Sequence, residues 1–190
     1  MKRIGAVILA AGGSARLGRP KQLLVLDGET LLRRIARGAI DAGANPVIVV
    51  LGAVVGPCRA TLEGLDVRVV ENPAWREGLA TSLAAGVAAL GEVDGALLLL
   101  CDQPSITPDT LRRIMAAFAG DRIVAAGYAG TVGTPAIFPS EHFSALGGLT
   151  GDAGAKRLLQ RHERELIVVD LPEAVVDIDS AGDWEKFRQN

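Results

Sequence analysis

Three glycines and several basic residues lie within one short stretch near the start of the chain, VILAAGGSARLGRPKQLL. Gly12, Gly13 and Gly18 leave backbone N–H groups free to approach phosphate oxygens. Arg16 and Lys21 supply positive charge beside them. The combination suits a polyphosphate ligand. The alternative is an ordinary glycine-rich turn whose charged side chains face solvent.

This stretch fits neither of the two best-known glycine signatures. The dinucleotide-binding pattern G-x-G-x-x-G is absent, because Gly13 follows another glycine directly. Gly13 and Gly18 have the spacing of a Walker A loop, but Arg19, Pro20 and Lys21 follow them. Pro20 biases Arg19 away from helical geometry, so a helix cannot easily begin where a Walker lysine requires one.

A carboxylate follows an apolar run in the segment LLLLCDQPSITPDTL. Asp102 is expected at the end of a strand, where it can hold Mg²⁺ together with substrate phosphates. The alternative is an aspartate that caps the turn before Pro104. Cys101 is interpreted as a small buried residue rather than a nucleophile.

Short apolar runs and helical segments alternate along the chain. The runs, most of them unbroken as in buried parallel strands, cover residues 4–10, 46–52, 67–72, 96–102 and 122–129. Helices are predicted over 30–44 and 107–118, the second with Thr107 as N-cap, Pro108 in the first position and Asp109 in the first turn. This order predicts a Rossmann-like α/β fold, a mostly parallel sheet with helices on both faces.

The alternation of apolar runs and helical segments ends after residue 127. The segment GYAGTVGTPAIF predicts a small antiparallel excursion. A helix in DAGAKRLLQRH, two short strands and a closing helix from Ser180 are expected to follow. In an open α/β sheet, ligands bind outside the carboxyl ends of the strands, so the glycine-rich loop and Asp102 are expected to meet there.

Composition narrows the function classes. The 190 residues are expected to form a single domain, 1–190. A composition of 49% hydrophobic and 22% charged residues is typical of a globular protein. A net charge of −2 with scattered Lys and Arg favours neither a nucleic-acid partner nor a membrane surface. Cys58, Cys101 and two histidines predict neither a disulfide framework nor a zinc site, so we expect free thiols and a cytoplasmic location. The N-terminal run IGAVILAA is interpreted as a first strand rather than a signal peptide.

The stretch LAAGGSARLGRPKQLL resembles the L-A-[AG]-G-x-S-x-R-[ML]-G…K signature of the MobA-like nucleotidyltransferases, which include the molybdenum-cofactor cytidylyl- and guanylyltransferases. CDQP resembles the [CG]-D-x-P motif of the same family. The resemblance implies a nucleotidyltransferase fold whose loop wraps a nucleoside triphosphate, with catalytic roles for Arg16, Lys21 and Asp102. The positions implied to bind nucleotide are Ala10, Ala11, Gly12, Gly13 and Lys21.

NPAWREGLATSLAAGV resembles the family segment that helps form the nucleoside and acceptor pocket, which adds Asn72, Gly78 and Ser82 to the nucleotide-binding set. Trp75 either stacks on a pterin or covers the edge of the core.

The resemblance also implies that a carboxylate from a late strand completes a magnesium site with Asp102. Asp179 matches that position in DIDSAGDW, with Asp177 as a second choice that could instead lie on the outer face of its strand. Asp183 is interpreted as a first-turn acid that stabilises the closing helix.

The acceptor region is implied by two further segments. GDAGAK resembles the G-D-x-G-A-[RK] segment of the molybdopterin-directed cytidylyl branch, so Asp152 faces the acceptor or the metal, or else caps the helix that runs to His162. Many relatives read G-H-P where this chain has Gly133, Thr134 and Pro135, a difference that bears on the acceptor more than on the nucleotide.

By this resemblance the chain is expected to transfer CMP from CTP to a molybdopterin-type acceptor, with Mg²⁺ as cofactor and a molybdoenzyme or its maturation chaperone as a candidate partner. CTP is favoured because the chain reads LAAG where the guanylyl branch usually shows L-A-G-G, and Ala11 narrows the base pocket. The alternatives are guanylyl or other nucleotidyl transfer to a different phosphorylated metabolite, and a nucleotide-binding module without catalysis.

Overall fold

The computed structural model describes residues 2–152 and 154–189. Ala153, inside the GDAGAK segment, lies outside the described residues, as do both chain ends. The strands are β1 Ile4–Ala10, β2 Val25–Leu26, β3 Glu29–Thr30, β4 Val47–Leu51, β5 Arg68–Glu71, β6 Gly95–Leu100, β7 Val124–Tyr128, β8 Thr131–Pro139 and β9 Ile167–Asp170. The α-helices are α1 Leu31–Asp41, α2 Val55–Thr61, α3 Leu79–Ala88, α4 Pro108–Ala116, α5 Phe143–Gly147, α6 Lys156–Arg161 and α7 Ala181–Gln189.

The main sheet is mostly parallel. Its strand order is β5-β4-β1-β6-β8-β7-β9, and β8 pairs antiparallel with both β6 and β7. The other neighbouring pairs are parallel. The fold class and the antiparallel excursion are therefore confirmed. The separate hairpin of β2 and β3 is too short to produce an alternating pattern in the sequence.

Helices cover both faces of the sheet, as the unbroken apolar strands predict. All seven residues of β1 are buried. Ala6 and Ile8 belong to the core that includes buried residues of α1 and α4, whereas Val7 and Leu9 belong to the core on the α3 side. Because each large aliphatic side chain contributes about 1.5–3 kcal/mol when fully buried, this two-sided burial fixes the strand as the centre of the fold.

The predicted helix starts are confirmed at two positions. Thr30 accepts a hydrogen bond from Arg33 N at the start of α1. Thr107 accepts one from Thr110 N at the start of α4, where Pro108 occupies the first turn. A side-chain oxygen at this position satisfies a backbone donor that the helix leaves without a partner.

The C-terminal region differs from the prediction in two ways. The helix expected across residues 152–162 is shorter and begins at Lys156. Of the two expected late strands only β9 forms, so the prediction of a second strand is wrong. A 3-10 helix, Pro172–Val175, follows β9, and Ile178 then packs beside Trp184 of α7. Burial of Ile178 in this small cluster holds the segment without sheet pairing.

The carboxyl ends of β1, β4 and β6 lie at one edge of the sheet, since these strands run parallel. The beginning of β8 lies at the same edge, because that strand runs in the opposite direction. Within the described residues, no helix combines the length and apolar character needed to cross a membrane.

Candidate functional site

A cleft of about 710 Å³ opens at this edge of the sheet. Its lining contains six of the positions expected to bind nucleotide: Ala10, Ala11, Gly12, Lys21, Gly78 and Ser82. Asp102 and Asp152 also line it. Gly13, Arg16 and Asn72 lie outside that lining.

Four charged side chains from distant parts of the chain form one cluster beside the cleft. Lys21 Nζ donates to Asp102 Oδ2 at 2.6 Å and to Asp179 Oδ1 at 3.0 Å. Arg16 Nη2 donates to Asp179 Oδ2 at 2.9 Å. The side chains of Lys21 and Asp102 are only 17% and 15% exposed, whereas that of Arg16 is 77% exposed. The inner pair is therefore the stronger contact, since solvent screens the outer one.

Lys21 and Asp179 keep their charges at neutral pH. Burial acts to lower the pKa of Lys21, but the charge and hydrogen bond of Asp102 outweigh it and raise that pKa above its usual value. The hydrogen bond from Lys21 lowers the pKa of Asp179. Both groups therefore remain ionised, as tight binding of a phosphate or a metal ion requires.

Asp177 lies beside this cluster in a different environment. Partial burial, together with the charge of Asp102, raises the pKa of the Asp177 carboxyl to about 6. The neighbouring Gln103 is almost completely buried and donates from Nε2 to the backbone oxygens of Thr134 and Ala174. These bonds hold the segment before Asp177 against β8.

The donor set fits a divalent cation that substrate oxygens help to coordinate. Asp102 Oδ1 is buried and has no hydrogen-bond partner within the described chain. A buried carboxylate oxygen left without a partner is costly, and a cation satisfies it. No group of three or more His, Cys, Asp or Glu side chains is placed to hold a metal by itself in residues 2–152 and 154–189. Mg²⁺ characteristically takes one or two carboxylates and completes its shell with phosphates and water.

The wall of the cleft depends on a close approach of two glycines. Gly78 has φ of 118°, and a Cβ added there would overlap the backbone of Gly151. Ala80 N donates to Gly151 O at 3.1 Å, which seats the turn of Gly151 and Asp152 against the start of α3. The residue at the N-cap position of α6 is Ala155, so Asp152 does not occupy the cap of that helix.

Asn72 and Ser82 are linked inside the protein. Asn72 is buried, and its Nδ2 donates to Thr81 Oγ1 at 2.8 Å and to Ser82 Oγ at 2.9 Å. Its Oδ1 accepts a hydrogen bond from Ala74 N at 3.0 Å. The Asn72 amide therefore joins the turn before Trp75 to α3.

Trp75 itself lines the cleft and packs over the loop, since a Cβ at Gly13 would lie 3.3 Å from its ring.

A second pocket of about 310 Å³ adjoins the cleft and shares Leu9, Leu79, Leu100 and Asp152 with it. Its further lining includes Tyr128, Thr134, Lys156 and Asp177. The two positions assigned to the acceptor region, Asp152 and Thr134, therefore border one pocket.

The two cysteines are buried thiols. Cys101 is buried at the wall of the cleft, and burial raises the pKa of its thiol far above the usual value. Burial raises the pKa of Cys58 to about 11. Neither forms a disulfide, and neither has the lowered pKa of a nucleophile.

Sequence reasoning missed Gln22, which lines the cleft although it is buried. Its neighbour Lys21 drew attention through charge, but a glutamine before two leucines has no comparable signal in a single sequence.

Residues 6–166 match the MobA-like NTP transferase domain. A nicotine blue oxidoreductase from Paenarthrobacter nicotinovorans is 34% identical over 170 residues, which are 83% of this chain and 82% of the relative. A probable molybdenum cofactor guanylyltransferase from Opitutus terrae is 32% identical, over 86% of this chain and 75% of its own. The molybdenum cofactor cytidylyltransferase of Escherichia coli is 23% identical, over 97% and 95%.

Among solved structures, Rv0371c from Mycobacterium tuberculosis superposes with a TM-score of 0.86 at 34% identity and covers 100% of both chains. A complex of Rv0371c with manganese gives a TM-score of 0.81 at 32% identity and covers 99% of both.

Proposed function

The chain belongs to the family of MobA-like NTP transferases, and from that membership we propose that it transfers a nucleoside monophosphate from a triphosphate to a phosphate-bearing acceptor and releases pyrophosphate. The observation that carries the proposal is the contact of Lys21 with Asp102 and Asp179 at the open edge of the cleft. This cluster combines a cation for phosphate with carboxylates for a metal ion, as nucleotidyl transfer requires.

The reaction joins an acceptor phosphate oxygen to the α-phosphorus of the nucleotide. The bond from the α-phosphorus to the bridging oxygen breaks, and pyrophosphate leaves with the electron pair. Since a phosphate monoester is already ionised at neutral pH, its oxygen attacks without a general base. The protein must align the two phosphates and stabilise charge on the leaving group. Lys21 and Arg16 supply the positive charge for that purpose.

Asp102 and Asp179 would hold the magnesium ion, with Asp177 beside them. When bound, the ion neutralises phosphate charge and favours departure of pyrophosphate. The unpartnered Asp102 Oδ1 supports this assignment within the chain. The manganese complex of Rv0371c supports a divalent cation in a related protein.

CTP is the proposed nucleotide, because Ala11 lines the cleft where a glycine would leave more space for a purine. The proposed acceptor is a molybdopterin-type phosphate in the second pocket, bordered by Asp152 and Thr134. Both a guanylyl- and a cytidylyltransferase of the molybdenum cofactor are among the relatives. A molybdoenzyme or its maturation chaperone would then receive the product.

A second candidate comes from the relative named nicotine blue oxidoreductase, which is 34% identical to this chain. In that case the reaction would be an oxidation–reduction rather than a nucleotidyl transfer, and no pyrophosphate would be released. The two candidates therefore differ in their products.

The test offers CTP, GTP, ATP and UTP separately with Mg²⁺, with and without molybdopterin, and measures pyrophosphate. Acceptor-dependent release with CTP is expected. Release with GTP alone would keep the reaction and overturn the choice of base. Absence of release in every sample, together with oxidation of NADH or NADPH in the presence of nicotine blue, would favour the second candidate.

Two variants connect this assay to the site. Lys21→Ala and Asp102→Ala are each expected to lower turnover by orders of magnitude. Lys186→Ala, on the exposed side of α7, serves as the control for the loss of one positive charge in Lys21→Ala. Near wild-type turnover of either site variant would contradict the assigned roles.

A further inference from the structure

We propose that Gln22 is a positioning residue that aims the backbone N–H groups of the glycine-rich loop at the phosphates. The inference rests on the proposed function, since it assumes that the loop binds a polyphosphate. It assigns a role to a side chain that neither the motif nor its charge marks as functional.

The Gln22 side chain is 1% exposed, and its amide lies beneath the loop. Nε2 donates to Ala10 O and to Gly12 O, both at 2.8 Å. Between these two, Ala11 O accepts a hydrogen bond from Ala53 N at 2.9 Å. Three consecutive carbonyl oxygens of the loop are therefore held by donors from within the protein.

These carbonyl bonds determine where the amide hydrogens point. In a trans peptide the C=O of one residue and the N–H of the next point in opposite directions. The N–H of Gly12 lies opposite Ala11 O, which Ala53 N holds, and the N–H groups of Ala11 and Gly13 lie opposite Ala10 O and Gly12 O and turn away from the buried Gln22 amide. Those of Gly12 and Gly13 have no acceptor in the described part of the chain. Free amide N–H groups on successive residues are the donors that form anion-binding concavities in proteins.

The same side chain connects these N–H groups to the catalytic lysine. Ser14 Oγ donates to Gln22 Oε1 at 3.5 Å and accepts a hydrogen bond from Lys21 N at 3.0 Å. Ser14 has φ of 53°, a conformation that favours glycine and that these bonds help to hold. Gln22 therefore fixes the N–H groups of the loop and the backbone of Lys21 relative to each other. A shift of either would move the loop N–H groups away from the Lys21 ammonium.

The test compares Gln22→Met with Gln103→Met. Gln103 is also buried, at 3% exposure, and its Nε2 also donates to two backbone oxygens, but these belong to Thr134 and Ala174. Both substitutions replace a glutamine by an apolar side chain of similar length and remove two hydrogen bonds to backbone oxygens. Gln22→Met also removes the longer hydrogen bond from Ser14 Oγ. Affinity for inorganic tripolyphosphate without metal is measured by calorimetry, together with the urea midpoint and the ¹⁵N order parameters of Gly12 and Gly13.

We expect Gln22→Met to bind tripolyphosphate at least tenfold more weakly than the wild type and to lower both order parameters. Gln103→Met should lose similar stability yet keep its affinity within twofold. Equal affinity losses in the two variants, or unchanged order parameters in Gln22→Met, would overturn the inference. Should Gln22→Met not fold, Ser14→Ala is expected to weaken binding by a smaller factor, and wild-type affinity in that variant would overturn the inference equally.

Failure of the proposed function gives a different result. If the wild type binds neither tripolyphosphate nor CTP, the loop is not a polyphosphate site and the proposed function falls. The order parameters of Gly12 and Gly13 still report whether Gln22 fixes the loop.

Discussion

Replacing Lys21 by methionine should strengthen the binding of a divalent cation to the nucleotide-free protein, although it abolishes turnover. The Lys21 ammonium lies 2.6 Å from Asp102 and 3.0 Å from Asp179, where it neutralises the carboxylates that a metal ion needs. A cation that enters must compete with it. Lys21→Met removes the competitor and leaves both carboxylates in place.

The size of the effect follows from the charges. Two unit charges near a protein surface interact with about 4 kcal/mol at a separation of about 4 Å. If about a third of that energy survives the solvent around Asp179, it amounts to about 1.4 kcal/mol, which is a tenfold change in the dissociation constant. We therefore expect Lys21→Met to bind Mn²⁺ about tenfold more tightly than the wild type.

The assay follows free Mn²⁺ by electron paramagnetic resonance at pH 8, with Lys186→Met as the control for loss of a surface charge. With CTP present the order should reverse, because in the wild type Lys21 can then contact the phosphates. Equal or weaker Mn²⁺ binding by Lys21→Met in the absence of nucleotide would refute the idea that the lysine and the metal share these carboxylates.

Three further predictions concern the walls of the site and the stability of the fold. Gly78→Ala combines a positive φ with overlap of the facing turn, so it should lower the free energy of unfolding by more than about 2 kcal/mol. Gly91→Ala has a positive φ but open space around the new Cβ, so it should lower that free energy by only about 1 kcal/mol. Equal losses in urea unfolding would contradict the role of the contact. Lys156→Ala should raise the KM for a phosphorylated acceptor at least tenfold and leave the KM for CTP unchanged, since a hydrogen bond to a charged group contributes about 1.5–3 kcal/mol. Arg157→Ala is the neighbouring control, and a shift in the KM for CTP alone would place Lys156 at the other substrate. Burial, with a smaller effect of the second histidine His162, lowers the pKa of His142. The folded state therefore binds a proton there less readily than the unfolded state, and stability is lost as pH falls below the usual pKa of 6.5. His142→Gln should lose less stability than the wild type between pH 7 and 5, and an identical pH profile would exclude this cause.

The parts of the fold that the sequence predicted well are those governed by local rules. Unbroken apolar runs gave β1, β4 and β6 within two residues of their ends, because strands buried on both faces need apolar residues throughout. Thr107 and Pro108 marked the start of α4 because helix caps depend on neighbouring residues alone. The segment after β9 was not predictable in this way, since the packing of Ile178 depends on a helix that follows it.

The motifs indicated several residues that line the candidate site, but not how their side chains contact one another. The motifs indicated Lys21 as a phosphate ligand and Asp102 as a metal ligand, yet the structure pairs these two side chains with each other. They are 81 positions apart, and only the adjacency of β1 and β6 brings them together. Gln22 remained unnoticed because its partners are backbone oxygens, which every sequence contains.

The reversed direction of β8 has a consequence for how such a protein can diverge. Parallel strands need a long crossover, but β7 and β8 join through a two-residue hairpin turn at Ala129 and Gly130, at the same edge as the cleft. A hairpin can gain or lose residues without moving the strands that carry the glycine-rich loop and Asp102. The pocket beside Thr134 can therefore change shape over evolutionary time while the glycine-rich loop and Asp102 keep their positions. On the proposed assignment of the acceptor to this pocket, exchange of residues 128–134 between relatives should transfer a preference for one acceptor to another scaffold.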